Sequence, residues 1–140
     1  MIAMRPSRRN RRGATLVEFA LVVPVFFIIV FGIFEIGRVC MVTELLTEAA
    51  RRACRQGVIE GTSSGSIQST ATNYLASVGI SGDTASVYVN DSPAGSTDVS
   101  SMPAYTEITV VVTVPVANVT WAPTWFVYGN LTGQYTMRRE

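Results

Sequence analysis

The amino-acid sequence predicts an α+β protein, in which a single N-terminal transmembrane helix continues into an amphipathic helix and is followed by a small antiparallel-sheet outer domain. Three patterns predict this fold class. Residues 14–37 are apolar over the length of a bilayer crossing, residues 38–57 carry apolar side chains at helical spacing, and residues 107–116 alternate with the period of a half-buried strand. The predicted organisation is a basic cytoplasmic leader at 1–13, the transmembrane helix, its amphipathic extension, and the outer domain at 58–140.

The composition argues against an enzyme. The 140-residue chain has no histidine, and its 11 basic residues are all arginine. Catalytic systems and metal sites built on histidine are therefore excluded, as are lysine bases and Schiff bases. The ten acidic residues are scattered along the chain. We predict no catalytic residues, no metal ligands, no cofactor and no small-molecule substrate.

Charge and hydropathy predict the topology. Residues 14–37 would form about 36 Å of helix, enough to cross a hydrocarbon core of ~30 Å. Arginines crowd the segment before this run and only Arg38 follows closely, which predicts a cytoplasmic N-terminus and a C-terminal domain outside the membrane. The run lacks a small-x-small cleavage site of an ordinary signal peptide. Because the arginines adjoin a membrane span and have no interleaved aromatic residues, we expect no nucleic-acid partner.

Glu18 places a carboxylate near the start of the apolar run, where an ionised group is costly. One interpretation is that it lies at the headgroup boundary. The other begins at Gly13, where the arginine-rich leader stops. A cut after Gly13 would make Ala14 a charged N-terminus one helical turn from Glu18. Glu18 would then neutralise the N-terminal amine of a neighbouring subunit and set the axial register between subunits.

Three blocks of the sequence form a recognisable pattern. Gly13, Glu18 and Phe19 lead into the apolar run, residues 31–38 form the second block, and residues 136–140 form the third. The pattern resembles the processing site of type IV prepilins and, more narrowly, the TadE-like proteins of tight-adherence (Flp) pilus systems. The resemblance implies a pseudopilin of the bacterial inner (cytoplasmic) membrane, cleaved between Gly13 and Ala14 by a prepilin peptidase. The implied partners are that peptidase, the inner membrane, and other pilus-assembly proteins or pseudopilins. We assign Glu18 and Phe19 to subunit register and pairing with the N-terminus.

One residue pair lies where the helix is predicted to leave the membrane. Glu35 and Arg38 are three residues apart, which predicts an interfacial ion pair, although a family role for this block stays open. Cys40 and Cys54 fall in one predicted helix and are separated by roughly 21 Å. That separation excludes a disulfide between them. We expect small buried residues, with an intermolecular bond or a reactive thiol as the alternative.

The helix beyond the membrane is predicted to be amphipathic. Its apolar stripe consists of Val42, Leu45, Leu46, Ala49, Ala50 and Ala53. The stripe covers either the domain's own sheet or another subunit. Glu48 precedes Arg52 by four residues, the favourable order for an ion pair. Gly57 is expected to end the helix.

The rest of the outer domain is predicted to add one helix and about three strands. The second helix is expected to be capped at Ser66 and stopped by Gly79. Strands are expected near residues 87–89, 107–116 and 131–137, with a loop at 90–96.

An aromatic cluster precedes the last predicted strand and includes Trp121, Trp125, Phe126 and Tyr128. It either covers the core or forms an exposed surface for a partner or the membrane.

The leading functional hypothesis is a non-enzymatic pseudopilin that takes part in pilus assembly. The alternative is an uncleaved bitopic envelope protein whose outer domain binds another protein, and the cleavage state separates the two.

Overall fold

A computed structural model of the protein describes residues 9–59, 61–94, 99–121 and 128–139, without the side chains of residues 9–12 and 100. Its elements are α1 Arg9–Val58, α2 Ser64–Ser77, β1 Thr84–Val89, β2 Ser92–Pro93, β3 Glu107–Pro115 and β4 Asn130–Arg138, with 3-10 turns at Val99–Ser101 and Val116–Asn118. The strands form one antiparallel sheet in the order β2-β1-β3-β4. The predicted α+β class with a long apolar N-terminal helix is confirmed.

The chain divides into two compact units between Ile36 and Gly37. In the described residues of the first unit, α1 is the whole structure. Pro24 lies inside this helix. Because proline has no N–H, the carbonyl of Ala20 loses its donor one turn later, a defect that transmembrane helices tolerate.

In the outer domain, α1 packs against the domain's own sheet. Leu46, Ala49, Ala50 and Ala53 are fully buried in the core with the apolar side chains of β3. The helix lies close to Gly133 of β4, where an added Cβ would lie 2.6 Å from the Cβ of Leu46. The first of the two predicted uses of this stripe is therefore confirmed.

β3 is the central long strand of the sheet. Its side chains alternate strictly, with Ile108, Val110, Val112 and Val114 buried, as the sequence pattern predicts. β3 pairs with β4 along its full length and with β1 over six residues. The expected strands near 87–89 and 131–137 are confirmed as parts of β1 and β4.

The expected count of three strands was wrong by one short strand. The 90–96 segment contains β2, which folds back onto the end of β1. Asn90 and Asp91 make this turn with positive φ values of 47° and 62°. These residue types tolerate the left-handed region, which tight hairpin turns require.

Two expected helix ends were also wrong. α1 continues through Gly57 to Val58. A Cβ at Gly57 would lie 2.9 Å from Cδ1 of Ile67, so this glycine allows close packing and does not end the helix. The N-cap of α2 is Ser63, whose hydroxyl accepts the N–H of Ser66 at 3.3 Å. Ser66 is therefore the capped residue and not the cap. Gly79, with φ of 80°, follows the end of α2 as predicted.

A buried arginine closes the end of the sheet. Arg139 is only 3% exposed, and its Nη1 donates to the carbonyls of Val99 at 2.9 Å and Met102 at 3.1 Å. Its backbone N–H donates to Thr106 and its carbonyl accepts from Tyr105. The arginine thus ties the 3-10 turn at Val99–Ser101 to the ends of β3 and β4.

Candidate functional site at the start of the apolar helix

The Gly13–Ala14 peptide bond lies within regular helix, because α1 begins at Arg9. Gly13 and Ala14 are exposed, and open space surrounds the position that a Cβ on Gly13 would occupy. Glycine weakens a helix interior by about 1 kcal/mol relative to alanine. The bond therefore lies at an accessible position where local unwinding is comparatively cheap.

Glu18 and Phe19 follow one helical turn later, and both are exposed. Ala14 and Glu18 are four residues apart, which places them on the same face of α1 at an axial separation of about 6 Å. Phe19 is 68% exposed. Glu18 therefore lies near Ala14 of its own chain, and the contact between subunits stays a prediction.

The helix after Glu18 presents apolar side chains on all of its faces. The exposed large side chains from here to the end of the first unit are Phe19, Leu21, Val22, Val25, Phe26, Phe27, Ile28, Ile29, Phe31, Ile33, Phe34 and Ile36. Among the described residues, one helix is long enough and apolar enough to cross a membrane, and it is this part of α1. Burying this surface in lipid, at about 25 cal/mol per Å² of apolar area, stabilises insertion strongly. These features fit a single-pass membrane protein.

Comparison with protein families supplies the remaining observation. Residues 13–55 match a family model described as TadE-like protein. We refer to residues 13–55, which are similar to this family, as the TadE-like segment. The match begins at Gly13 and covers the apolar run and most of the amphipathic extension. No curated protein and no solved structure matches the chain.

The matched segment is less than half of the 140-residue chain, and it contains most of the helix that is long and apolar enough to cross a membrane.

Glu35 and Arg38 both lie in the TadE-like segment. Arg38 is half-buried, and its Nε donates to the carbonyl of Val119. Its guanidinium carbon lies 4.5 Å from the centroid of the Trp121 ring. Arg38 is therefore engaged with the outer domain, a role that the sequence did not predict. The ion pair with Glu35 stays a prediction.

The aromatic cluster lies beyond the TadE-like segment, and the structure describes half of its four assigned residues. Trp121 is 81% exposed and Tyr128 is 87% exposed, so neither covers the core. Trp125 and Phe126 lie outside the described residues.

Within the TadE-like segment, the carboxylate of Glu48 forms ion pairs with two arginines on the solvent-exposed face of α1. Arg52 donates to Glu48 at 2.9 Å, which confirms the predicted pair, and Arg51 approaches the same carboxylate at 4.0 Å. The hydrogen bond from Arg52 lowers the pKa of Glu48 below its ordinary value. The pair is exposed, so its contribution to stability is small.

The two thiols of the TadE-like segment differ sharply in environment. Cys40 is exposed, whereas Cys54 is buried and donates to the carbonyl of Tyr135 at 3.0 Å. Burial raises the pKa of Cys54 to about 11. Cys54 is thus an unreactive core residue, as expected. The expectation of burial was wrong for Cys40, which is the accessible thiol.

Proposed function

We propose that the protein is a non-enzymatic, membrane-anchored pseudopilin that takes part in assembling tight-adherence (Flp-type) pili. In this proposal a prepilin peptidase cuts the chain after Gly13, the N-terminus lies in the cytoplasm, and the outer domain lies outside the inner membrane. The observation that carries the proposal is Glu18. It is a carboxylate one turn past an accessible glycine bond, at the start of a membrane-length apolar helix in a TadE-like segment.

Hydrolysis at Gly13–Ala14 removes the arginine-rich leader and creates an ammonium group on Ala14. Two unit charges about 4 Å apart attract by about 4 kcal/mol at an effective dielectric constant near 20. Moving either ion into lipid alone costs several kcal/mol, so the charges are much less costly as a pair. A pair between Glu18 of one subunit and Ala14 of the next would therefore favour one axial register over others.

N-terminal mapping tests the processing step. The full chain is expressed in a host with an active prepilin peptidase and in one without it, recovered from the membrane, and sequenced from its N-terminus. We expect Ala14 as the first residue in the first host and the intact leader in the second. Recovery of the leader from both hosts would refute processing and favour the alternative, an uncleaved bitopic envelope protein whose outer domain binds another protein.

A substitution at Glu18 tests the assembly step separately. Glu18→Gln keeps the size of the side chain and removes its charge. Glu44→Gln is the matched control, because Glu44 is an exposed acid on the same helix outside the apolar run. We expect Glu18→Gln to insert normally and to reduce pilus assembly at least about tenfold, the effect of a loss of ~1.4 kcal/mol. Normal assembly with Glu18→Gln would contradict the proposed pairing.

A further inference from the structure

The loop between β3 and β4 exposes two large aromatic rings at one end of the outer domain. Val119 is buried, whereas Trp121 is 81% exposed two residues later. Tyr128, 87% exposed, lies at the return of the same loop. Its neighbour Gly129 accepts the N–H of Val116 at 3.0 Å, which places Tyr128 at the same end of β3 as Val116.

This end of the sheet lies beside the first residues of α1 that belong to the outer domain, which begins at Gly37. Arg38, directly after the apolar run, contacts Val119 beyond the end of β3. Sixteen positions later on the helix, Cys54 contacts the carbonyl of Ile108 at the start of β3. α1 and β3 therefore run in opposite directions. Tyr105 lies at the far end of the sheet, where its N–H donates to the carbonyl of Arg139 at 2.8 Å.

Arg38 fixes the depth of Trp121 relative to a membrane. The uncharged stretch of the apolar run ends at Phe34, so Glu35 and then Arg38 are the first charged residues at the outer boundary of the hydrocarbon. Its guanidinium carbon lies 4.5 Å from the centroid of the Trp121 ring. The headgroup layer on each side of a bilayer is roughly 5–8 Å deep. The ring therefore falls within or at the edge of that layer.

We propose that Trp121 and Tyr128 rest in the lipid headgroup layer, so that the outer domain docks on the surface of the membrane that its own helix spans. Tryptophan and tyrosine favour this layer because each has an apolar ring and a polar N–H or O–H. Arg38 acts as a positioning residue through its carbonyl contact and its cation–π contact with Trp121. The proposal requires a membrane-spanning helix but neither cleavage at Gly13 nor pilus assembly, so it can fail independently of them.

Depth-dependent fluorescence quenching tests this docking on the full chain. The sequence has two tryptophans, and Trp125→Phe leaves Trp121 as the sole emitter. The protein is reconstituted in vesicles of phosphatidylethanolamine and phosphatidylglycerol, with a nitroxide either on the lipid headgroup or at mid-chain, or with iodide on both sides. We expect the headgroup nitroxide to quench Trp121 more than the mid-chain nitroxide does, and iodide to quench it weakly.

A matched control places the tryptophan at the far end of the sheet. In the variant Trp121→Phe, Trp125→Phe and Tyr105→Trp, the single ring occupies a position that is 76% exposed in the native chain. We expect iodide to quench this ring strongly and the headgroup nitroxide to quench it little. Equal quenching of the two positions by iodide would place Trp121 in water and overturn the proposal.

Arg38→Gln in the Trp125→Phe chain tests the positioning role. We expect the balance between lipid-docked and released loop to shift by about two- to fivefold, the range for an exposed cation–π contact. Headgroup quenching of Trp121 should fall and iodide quenching should rise. Arg52→Gln is the control, because Arg52 makes a similar contact with Tyr74 at 4.2 Å elsewhere in the domain. Unchanged quenching with Arg38→Gln, in a variant with a native melting curve, would refute the role of Arg38.

A third result would identify a protein contact in place of lipid. If neither iodide nor the headgroup nitroxide reaches Trp121, and dilution of the protein with excess lipid restores iodide quenching, a second copy of the chain covers the ring. That outcome overturns docking on lipid.

Discussion

The contact between α1 and β4 predicts that Gly133→Ala destabilises the outer domain. Gly133 is buried in β4 and faces the helix backbone. An alanine Cβ there would lie 2.5 Å from the backbone nitrogen of Thr47 and 2.6 Å from the Cβ of Leu46. Ordinary contacts are about 3.5–4.0 Å, so the helix would have to move away from the sheet by roughly 1 Å.

The magnitude follows from what such a shift costs. Overpacking a core typically costs about 1–3 kcal/mol, and the upper end applies here because backbone atoms are in the way and cannot change rotamer. A gap of ~1 Å would also weaken the dispersion contacts of the buried stripe. For a domain of this size, a loss of about 3 kcal/mol lowers Tm by roughly 12–24 °C.

The assay is a thermal melt of the full chain in detergent micelles, followed by near-UV circular dichroism, which reports tertiary packing. Gly65→Ala is the matched control, because Gly65 is an exposed residue of α2 with open space around its added Cβ. We expect the control to melt at or above the wild-type Tm, since alanine favours helix over glycine.

The sign of the effect makes the Gly133 result decisive. In a strand without a close neighbour, replacing glycine by alanine stabilises by about 0.5–1 kcal/mol. A Tm for Gly133→Ala equal to or above that of wild type would therefore refute the helix–sheet contact at this position.

Two further predictions concern buried polar groups of the outer domain. Arg139→Met should destabilise the domain by about 1–3 kcal/mol because it leaves buried carbonyls without donors, whereas Arg138→Met on the exposed side should have little effect in urea unfolding. Equal midpoints for the two variants would contradict this role. At neutral pH a maleimide should label Cys40 but reach Cys54 only after unfolding. Since burial raises the pKa of Cys54 from 9.0 to about 11, the unfolded thiol ionises first and stability should fall as pH rises through this interval. Cys54→Val should remove that part of the pH dependence, and an unchanged pH profile would refute it.

Periodic patterns made the main elements predictable. The alternation of valines in β3 and the apolar stripe of α1 each determine which side chains face the core, and the structure confirms both. The apolar run from residue 14 predicted a membrane-length helix because its length and composition alone distinguish it.

Features that depend on tertiary contacts were not predictable from these patterns. Gly57 resembles a helix stop in sequence, but only its proximity to Ile67 shows why a glycine is needed there. Residues 63–66 contain three serines, and the sequence alone does not distinguish which of them caps α2. The extended backbone of Ser63 identifies it as the N-cap. Arg139 follows an exposed arginine in the sequence, and only the carbonyls of the 3-10 turn explain its burial.

The packing of α1 against β4 also has a consequence for the timing of folding. Cys54 and its carbonyl partner Tyr135 are 81 residues apart, as are Arg38 and Val119. At synthesis rates of about 5–20 residues per second, the helix emerges roughly 4–16 s before the residues that cover it. Alanines form much of the buried stripe, and they expose less apolar surface during this interval than larger side chains would. The small residues that let the helix lie close to the sheet therefore also limit aggregation while the chain is still being made.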